Sequence, residues 1–167
     1  MENELFNALK SINIPNSRTR PNISGEAYRD SFRIYGHPIK SCSFGYVNVL
    51  FNNRTMLSRI SQNYPEVYQQ LIEYGRSICP HEFTSICVNY CVMCKPHMDS
   101  KNMGISTIVG IGEYTGGGLF VENELHDIKH KPLTFDGSKQ MHWTEPFEGD
   151  RITLVFFNVK LRKNLTG

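Results

Sequence analysis

The chain lacks any run of eighteen apolar residues, the length a helix needs to cross a bilayer core, so no membrane-spanning helix is expected. It also lacks a basic leader: Met1-Glu2-Asn3-Glu4 is acidic, unlike the start of a secretory signal, and the expected setting is intracellular, cytoplasmic or nuclear. A cysteine framework is missing too, since five cysteines are an odd number and point to free thiols rather than paired disulfides. Charge of one sign is not in excess. With 18 Lys and Arg against 16 Asp and Glu, the net charge of +2 falls short of what a dedicated nucleic-acid binder carries. Repeats and low-complexity tracts are absent. What remains, 40% apolar and 20% charged residues over 167 positions, is ordinary for one globular domain with its own core, and it leaves the oligomeric state open.

Hydrophobic spacing divides the chain. Leu5, Phe6 and Leu9 fall on one face of a short amphipathic helix, and residues 13–40, rich in Pro, Asn, Ser and Arg, read as an irregular arm. Ser43 to Phe51 alternates like a strand. From Thr55 to about Ile78 the spacing turns helical, with a break near Asn63 because Pro65 suits the first turn of a second helix. Gly75 or Cys79-Pro80 is expected to end it. Beyond Pro80 come short strand candidates: Thr84 to Val92, Ile105 to Ile111, Leu119 to Glu122, Leu133 to Phe135, Met141 to Trp143 and Ile152 to Val159. Gly116-Gly117-Gly118 and Asp136-Gly137 punctuate them. The expected fold is mainly β with flanking helices (α+β), built on a jelly-roll core at 81–160, with a helix and arm at 1–42 and a strand plus supporting helices at 43–80.

His97-Met98-Asp99 is the chemically informative triplet, followed by His142 and, nine residues later, Arg151. On an extended segment residues two apart face one side, so His97 and Asp99 can reach a single ion while Met98 points away. Two imidazoles and one carboxylate suit a mononuclear non-haem Fe(II) site, because three protein ligands leave one face of the ion open. Arg151 is a permanent cation whose planar fork fits a carboxylate bidentately.

These residues resemble the Fe(II)/2-oxoglutarate-dependent dioxygenases, with His97, Asp99 and His142 at the metal-ligand positions and Arg151 where the co-substrate's distal carboxylate is held. The resemblance runs over roughly residues 84–158. It includes the Gly116-Gly117-Gly118-Leu119 turn and the closing block from Phe135-Asp136-Gly137 to Phe156-Phe157. It implies a double-stranded β-helix (jelly-roll, cupin-like) fold, Fe(II), 2-oxoglutarate and O2 as requirements, and hydroxylation of a C–H bond coupled to decarboxylation of 2-oxoglutarate to succinate. By the same resemblance Thr153 would share the carboxylate with Arg151, and Asn89, on the strand before the first ligands, would touch the co-substrate.

Two substrate classes fit. The run from His97 to Gly118 is similar to the TET/JBP branch, which oxidises the methyl group of a pyrimidine base in nucleic acid, and Arg18, Arg20, Arg29 and Arg33 with Tyr28, Phe32 and Tyr35 would supply phosphate and stacking contacts. The chain is also similar to prolyl and related peptidyl hydroxylases acting on a protein substrate. A non-catalytic metal- or ligand-binding jelly-roll module is the third alternative. Other signals carry less. Cys91-Val92-Met93-Cys94 lacks the second pair a structural zinc site needs. The neighbours His126 and Asp127 face opposite ways on a strand. His37, His81 and His130 read as loop or surface residues, and Trp143 as a core or pocket residue.

Overall fold

The computed structural model describes residues 1–16, 39–49 and 54–162. The Arg18-to-Tyr35 cluster of the arm, His37 and Lys163 lie outside the described residues. Among the described residues eleven strands and three helices are arranged in the order α1 (Glu2–Ser11), β1 (Lys40–Val49), β2 (Arg54–Leu57), α2 (Arg59–Asn63), α3 (Pro65–Ile78), β3 (Ser85–Tyr90), β4 (Ser106–Ile111), β5 (Tyr114–Gly116), β6 (Leu119–Val121), β7 (Glu124–His126), β8 (Leu133–Phe135), β9 (His142–Thr144), β10 (Phe147–Gly149) and β11 (Ile152–Phe157).

Six strands form an antiparallel sheet in the order β2-β1-β3-β11-β4-β8. Facing it are two smaller antiparallel pieces, β7-β6-β9 and β10-β5. This is the expected mainly β, jelly-roll architecture. The large sheet is buried on both faces, which is why β4 is buried at every position and its sequence does not alternate. One face carries Phe44, Ile86, Val88, Val109, Ile111, Leu154 and Phe156, packed beneath Leu5 and Leu9 of α1 and Leu71 and Tyr74 of α3. The opposite face, with Ser43, Cys87, Asn89, Ile108, Thr153, Val155 and Phe157, looks into a cavity closed by the small strands. Period-two alternation thus sorts β3 and β11 into an apolar side and a functional side.

Two local outcomes differ from the sequence expectation, and a third settles an alternative. The stretch from Thr55 does not start a helix: Arg54–Leu57 pairs with β1, Tyr46 opposite Leu57 and Val49 opposite Arg54, and β-branched Thr55 is buried in the sheet. The i, i+3, i+4 match of Met56, Leu57 and Ile60 spans a strand and a helix that starts only after Ser58, whose hydroxyl accepts from the Ser61 N–H. Of the two ends expected for α3 the structure shows the second, with Cys79 as the C-cap, and not Gly75. The helix runs to Ile78 because Gly75 is where the rings of Phe156 and Phe83 press on it, and a Cβ there would lie 2.5 Å from Phe156 and 2.6 Å from Phe83. Finally, β5, β7 and β10, each three residues long, sit where the sequence reads as turns. No described helix is long and apolar enough to cross a membrane.

Candidate metal and carboxylate site

His97 and His142 are directly opposed. The two residues exchange backbone hydrogen bonds, His97 N–H to the His142 carbonyl at 3.1 Å and His142 N–H to the His97 carbonyl at 3.0 Å, so one register fixes both imidazoles. Asp99 is tied by its N–H to the Gly137 carbonyl at 2.8 Å. One donor atom from each of His97, Asp99 and His142 lies within 4.8 Å of the others, and among the described residues this is the one group of three or more metal-ligating side chains. Met98 between them points outward and is half exposed.

The imidazoles are oriented for coordination. In each ring Nδ1 sits against the carbonyl two residues earlier, 2.7 Å from Lys95 O for His97 and 2.9 Å from Gln140 O for His142. A carbonyl only accepts, so Nδ1 carries the proton and Nε2 is left with its lone pair. Those two Nε2 atoms lie 3.5 Å and 3.2 Å from the Asp99 oxygens. Phe135 meets the His142 ring edge-on at 5.0 Å, and Gly137 leaves open space beside it, where a Cβ would be 3.3 Å from His142 and 3.4 Å from Asp99. Two neutral nitrogens and a carboxylate oxygen aimed at one point fit a divalent transition-metal ion, and leave it a residual positive charge and open positions.

Arg151 is among the most buried side chains of the protein, 2% exposed, and burial pushes its pKa down from the usual value. Its Nε and Nη2 both donate to the Gly117 carbonyl, at 3.2 and 2.8 Å, and Nη1 donates to the Val92 carbonyl at 3.4 Å. The guanidinium lies over Phe147 and Tyr114, 4.9 and 5.7 Å from the ring centres. It makes no ion pair with a carboxylate of the described residues. A buried cation held by neutral groups among the described residues, with N–H donors left over, has the chemistry to receive an anion from outside. The Gly-rich turn is explained by this clamp: Gly117 has φ +72°, and a Cβ there would fall 2.7 Å from Arg151 Nε.

His97, Asp99, His142, Arg151, Thr153 and Asn89 all line one cavity of about 170 Å³, room for roughly six water molecules. Thr153 stands opposite Asn89 and Gly110 in the sheet register. Asn89 accepts a hydrogen bond from Ser41 Oγ at 2.9 Å. Strand β11 and the residue before it run along the cavity wall, with Arg151 at one end and Phe157 at the other. Asn102, three residues after Asp99, bridges to Val159 and so sits at the Phe157 end.

One residue beside the site, Tyr114, was missed by sequence reasoning. The Tyr114 hydroxyl is buried beside the Arg151 guanidinium with no hydrogen-bond partner of ordinary geometry among the described residues, and it occupies the space that a side chain at Gly110 would fill. Burial raises its pKa, and the neighbouring Arg151 charge pulls the other way. The only trace in the sequence was the lone glycine inside the apolar strand β4, a sign of close approach. The signals given less weight separate cleanly. Trp143 is not on the cavity wall but stacks on Phe120 across β6 and β9, 5.1 Å between centroids. Asp127 is engaged with Lys129 and Lys131 while His126 leans toward Glu124. Cys91 faces the helix-side core.

The chain matches no protein-family model and no curated protein sequence. Among solved structures it is similar to NgTET1 in complex with 5mC DNA, with TM-score 0.53 and 18% identity over 83% of this chain and 72% of that one. It is also similar to OsALKBH1 (TM-score 0.44, 10% identity, 72% of this chain and 78% of that one) and to a prolyl-4-hydroxylase of Pseudomonas putida (TM-score 0.43, 12% identity, 83% and 77%). The chain therefore has the jelly-roll fold of the Fe(II)/2-oxoglutarate oxygenases that its sequence motifs resemble.

Proposed function

We propose that the protein is an Fe(II)- and 2-oxoglutarate-dependent dioxygenase that hydroxylates a C–H bond, with the methyl group of a pyrimidine base in nucleic acid as its substrate. One observation carries the class: a cluster of two imidazoles and a carboxylate shares a single cavity with a buried guanidinium that has no acid of its own.

In this reading His97 and His142 would hold the iron through Nε2 and Asp99 through a carboxylate oxygen. Bound together, iron, 2-oxoglutarate and O2 supply the oxidising chemistry, while the protein supplies orientation and exclusion of water. Arg151 binds the distal carboxylate of 2-oxoglutarate, with the Thr153 hydroxyl on the same cavity wall as a further donor to it. Asn89, already accepting from Ser41, orients the wall between them. The carbonyls of Lys95 and Gln140 keep both imidazoles in the metal-binding tautomer. No side chain needs to act as a general acid or base.

The substrate enters at the end of the cavity away from Arg151, where Phe157 offers a ring face and Asn102 a hydrogen-bonding amide. An aromatic face beside an amide suits a planar, hydrogen-bonding base extruded from its stack. The likeness in fold to a structure that holds 5mC DNA supports the same choice. The test is mass spectrometry of methylated DNA, methylated RNA and a peptide pool incubated with the protein, Fe(II), 2-oxoglutarate and O2. The expected result is a gain of one oxygen on the methylated base, matched by succinate. Oxygen gained on peptide alone would transfer the protein to the peptidyl hydroxylases. Absence of succinate with every substrate would make it a binding module.

A further inference from the structure

Helix α1 packs on the outer face of the large sheet and is fastened at two points. At its start Glu2 accepts from the Tyr74 hydroxyl at 3.0 Å and faces His130 Nδ1 at 2.5 Å. At its end Lys10 pairs with Asp150, the residue immediately before Arg151. Asp150 also accepts from the Tyr90 hydroxyl at 2.6 Å, and its N–H donates to the Glu113 carbonyl at 2.8 Å. The next link is backbone: the Arg151 carbonyl accepts from the Cys91 N–H at 2.8 Å, just after Tyr90. Phe6, one turn before Lys10, packs on Gly112, where a Cβ would lie 2.6 Å from the ring. The Cys91 thiol feels Asp150, Arg151 and Lys10 together, which places the three charges around one residue.

Asp150 is the acid nearest in sequence to a buried arginine whose value lies in having no acid. Adjacent residues of an extended chain face opposite sides, so the carboxylate and the guanidinium diverge only while the backbone between them is held. Lys10 and Tyr90 do that holding by taking both oxygens of Asp150. We propose that Lys10, acting through Asp150 and Tyr90, is a positioning residue that keeps the Asp150 carboxylate turned outward and the Arg151 guanidinium turned into the cavity, available to a carboxylate ligand. The inference rests on the reading of Arg151 given above, and its own content is that α1 controls co-substrate affinity from outside the cavity. Nothing in the device touches the metal donors.

The experiment uses the full chain under argon with Mn(II) in place of Fe(II). Calorimetric titration gives the dissociation constants of Mn(II) and of 2-oxoglutarate for the wild type, Lys10→Met, Asp150→Asn, the double variant, and the exchanged pair Lys10→Asp with Asp150→Lys. Expected are a rise of about five- to tenfold in the 2-oxoglutarate constant for each single variant, and no further loss in the double, as for residues acting as one unit. The Mn(II) constant should stay within about twofold, and the exchanged pair should recover part of the loss. In turnover, KM for 2-oxoglutarate should rise while kcat holds. Tyr90→Phe removes one hydroxyl and serves if a charge variant fails to fold; it should move the same constant in the same direction. An unchanged 2-oxoglutarate constant in folded Lys10→Met and Tyr90→Phe overturns the clamp and leaves the oxygenase reading intact. A wild type that binds Mn(II) but no 2-oxoglutarate overturns both.

Discussion

Replacing Arg151 by alanine should separate the two binding functions assigned to the cavity. The guanidinium is 2% exposed and is the cation the described cavity wall offers to a dicarboxylate. Truncating one partner of a buried, hydrogen-bonded charge pair costs about 2–5 kcal/mol. At ~3 kcal/mol the dissociation constant of 2-oxoglutarate rises roughly 150-fold. Thermal unfolding converts this into a visible difference. At a ligand concentration about 100 times the wild-type constant, binding stabilises the fold by ~2.7 kcal/mol. For a chain of this size that raises Tm by roughly 5–10 °C. At the same concentration Arg151→Ala is below half saturation, and the gain falls to ~0.3 kcal/mol, about 1 °C or less. Scanning calorimetry under argon with Mn(II) reads both arms, since the shift given by Mn(II) alone should survive in Arg151→Ala and vanish in His97→Ala. Equal loss of the metal and the 2-oxoglutarate shifts would give Arg151 a purely structural role, and a full 2-oxoglutarate shift in Arg151→Ala would refute the assignment outright.

Three further outcomes follow from the same geometry. Gly117→Ala puts a Cβ 2.7 Å from Arg151 Nε at a φ of +72°, which costs about 1–2 kcal/mol in backbone strain alone; titration should show weaker 2-oxoglutarate binding with the Mn(II) constant unchanged. Gly75→Ala forces a methyl against Phe156 and Phe83 and should lower stability by about 1–3 kcal/mol in urea unfolding without changing either ligand constant. Burial pushes the thiols of Cys79 and Cys91 up to about 11 and that of Cys42 up to about 12, from an ordinary 9.0. The folded chain keeps protons that the unfolded chain has lost, so this contribution is intact below about pH 9 and disappears as pH rises through about 11 to 12. The urea midpoint should fall across that window, and a flat profile would contradict it.

Much of the architecture could be read from residue types. Leu5 and Leu9 on one helical face, Pro65 at the start of α3, and β8 at Leu133–Phe135 all have local causes, and the structure places them as expected. The jelly-roll class followed from many short strands with glycine-marked turns. Elements created by pairing rather than by local preference were not legible. Strand β2 exists because β1 lies beside it, and β5 and β10 exist because each supplies the other's partner, Phe147 opposite Gly116. The candidate metal donors, which the structure brings within 4.8 Å of one another, could be named in advance because spacing two apart and a distal histidine are sequence properties. The carbonyls of Lys95 and Gln140, the buried hydroxyl of Tyr114 and the Lys10–Asp150 tie could not, since backbone groups leave no sequence mark and contacts 140 residues apart have no periodicity.

The convergence of three donors on one ion is tested most directly by anaerobic titration of Fe(II) into the wild type and into a chain with His97, Asp99 and His142 all replaced by alanine. One tightly bound ion per wild-type chain and none in the variant is the result expected. The same stoichiometry and affinity in both proteins would show that the iron goes elsewhere and that the cluster is not the metal centre.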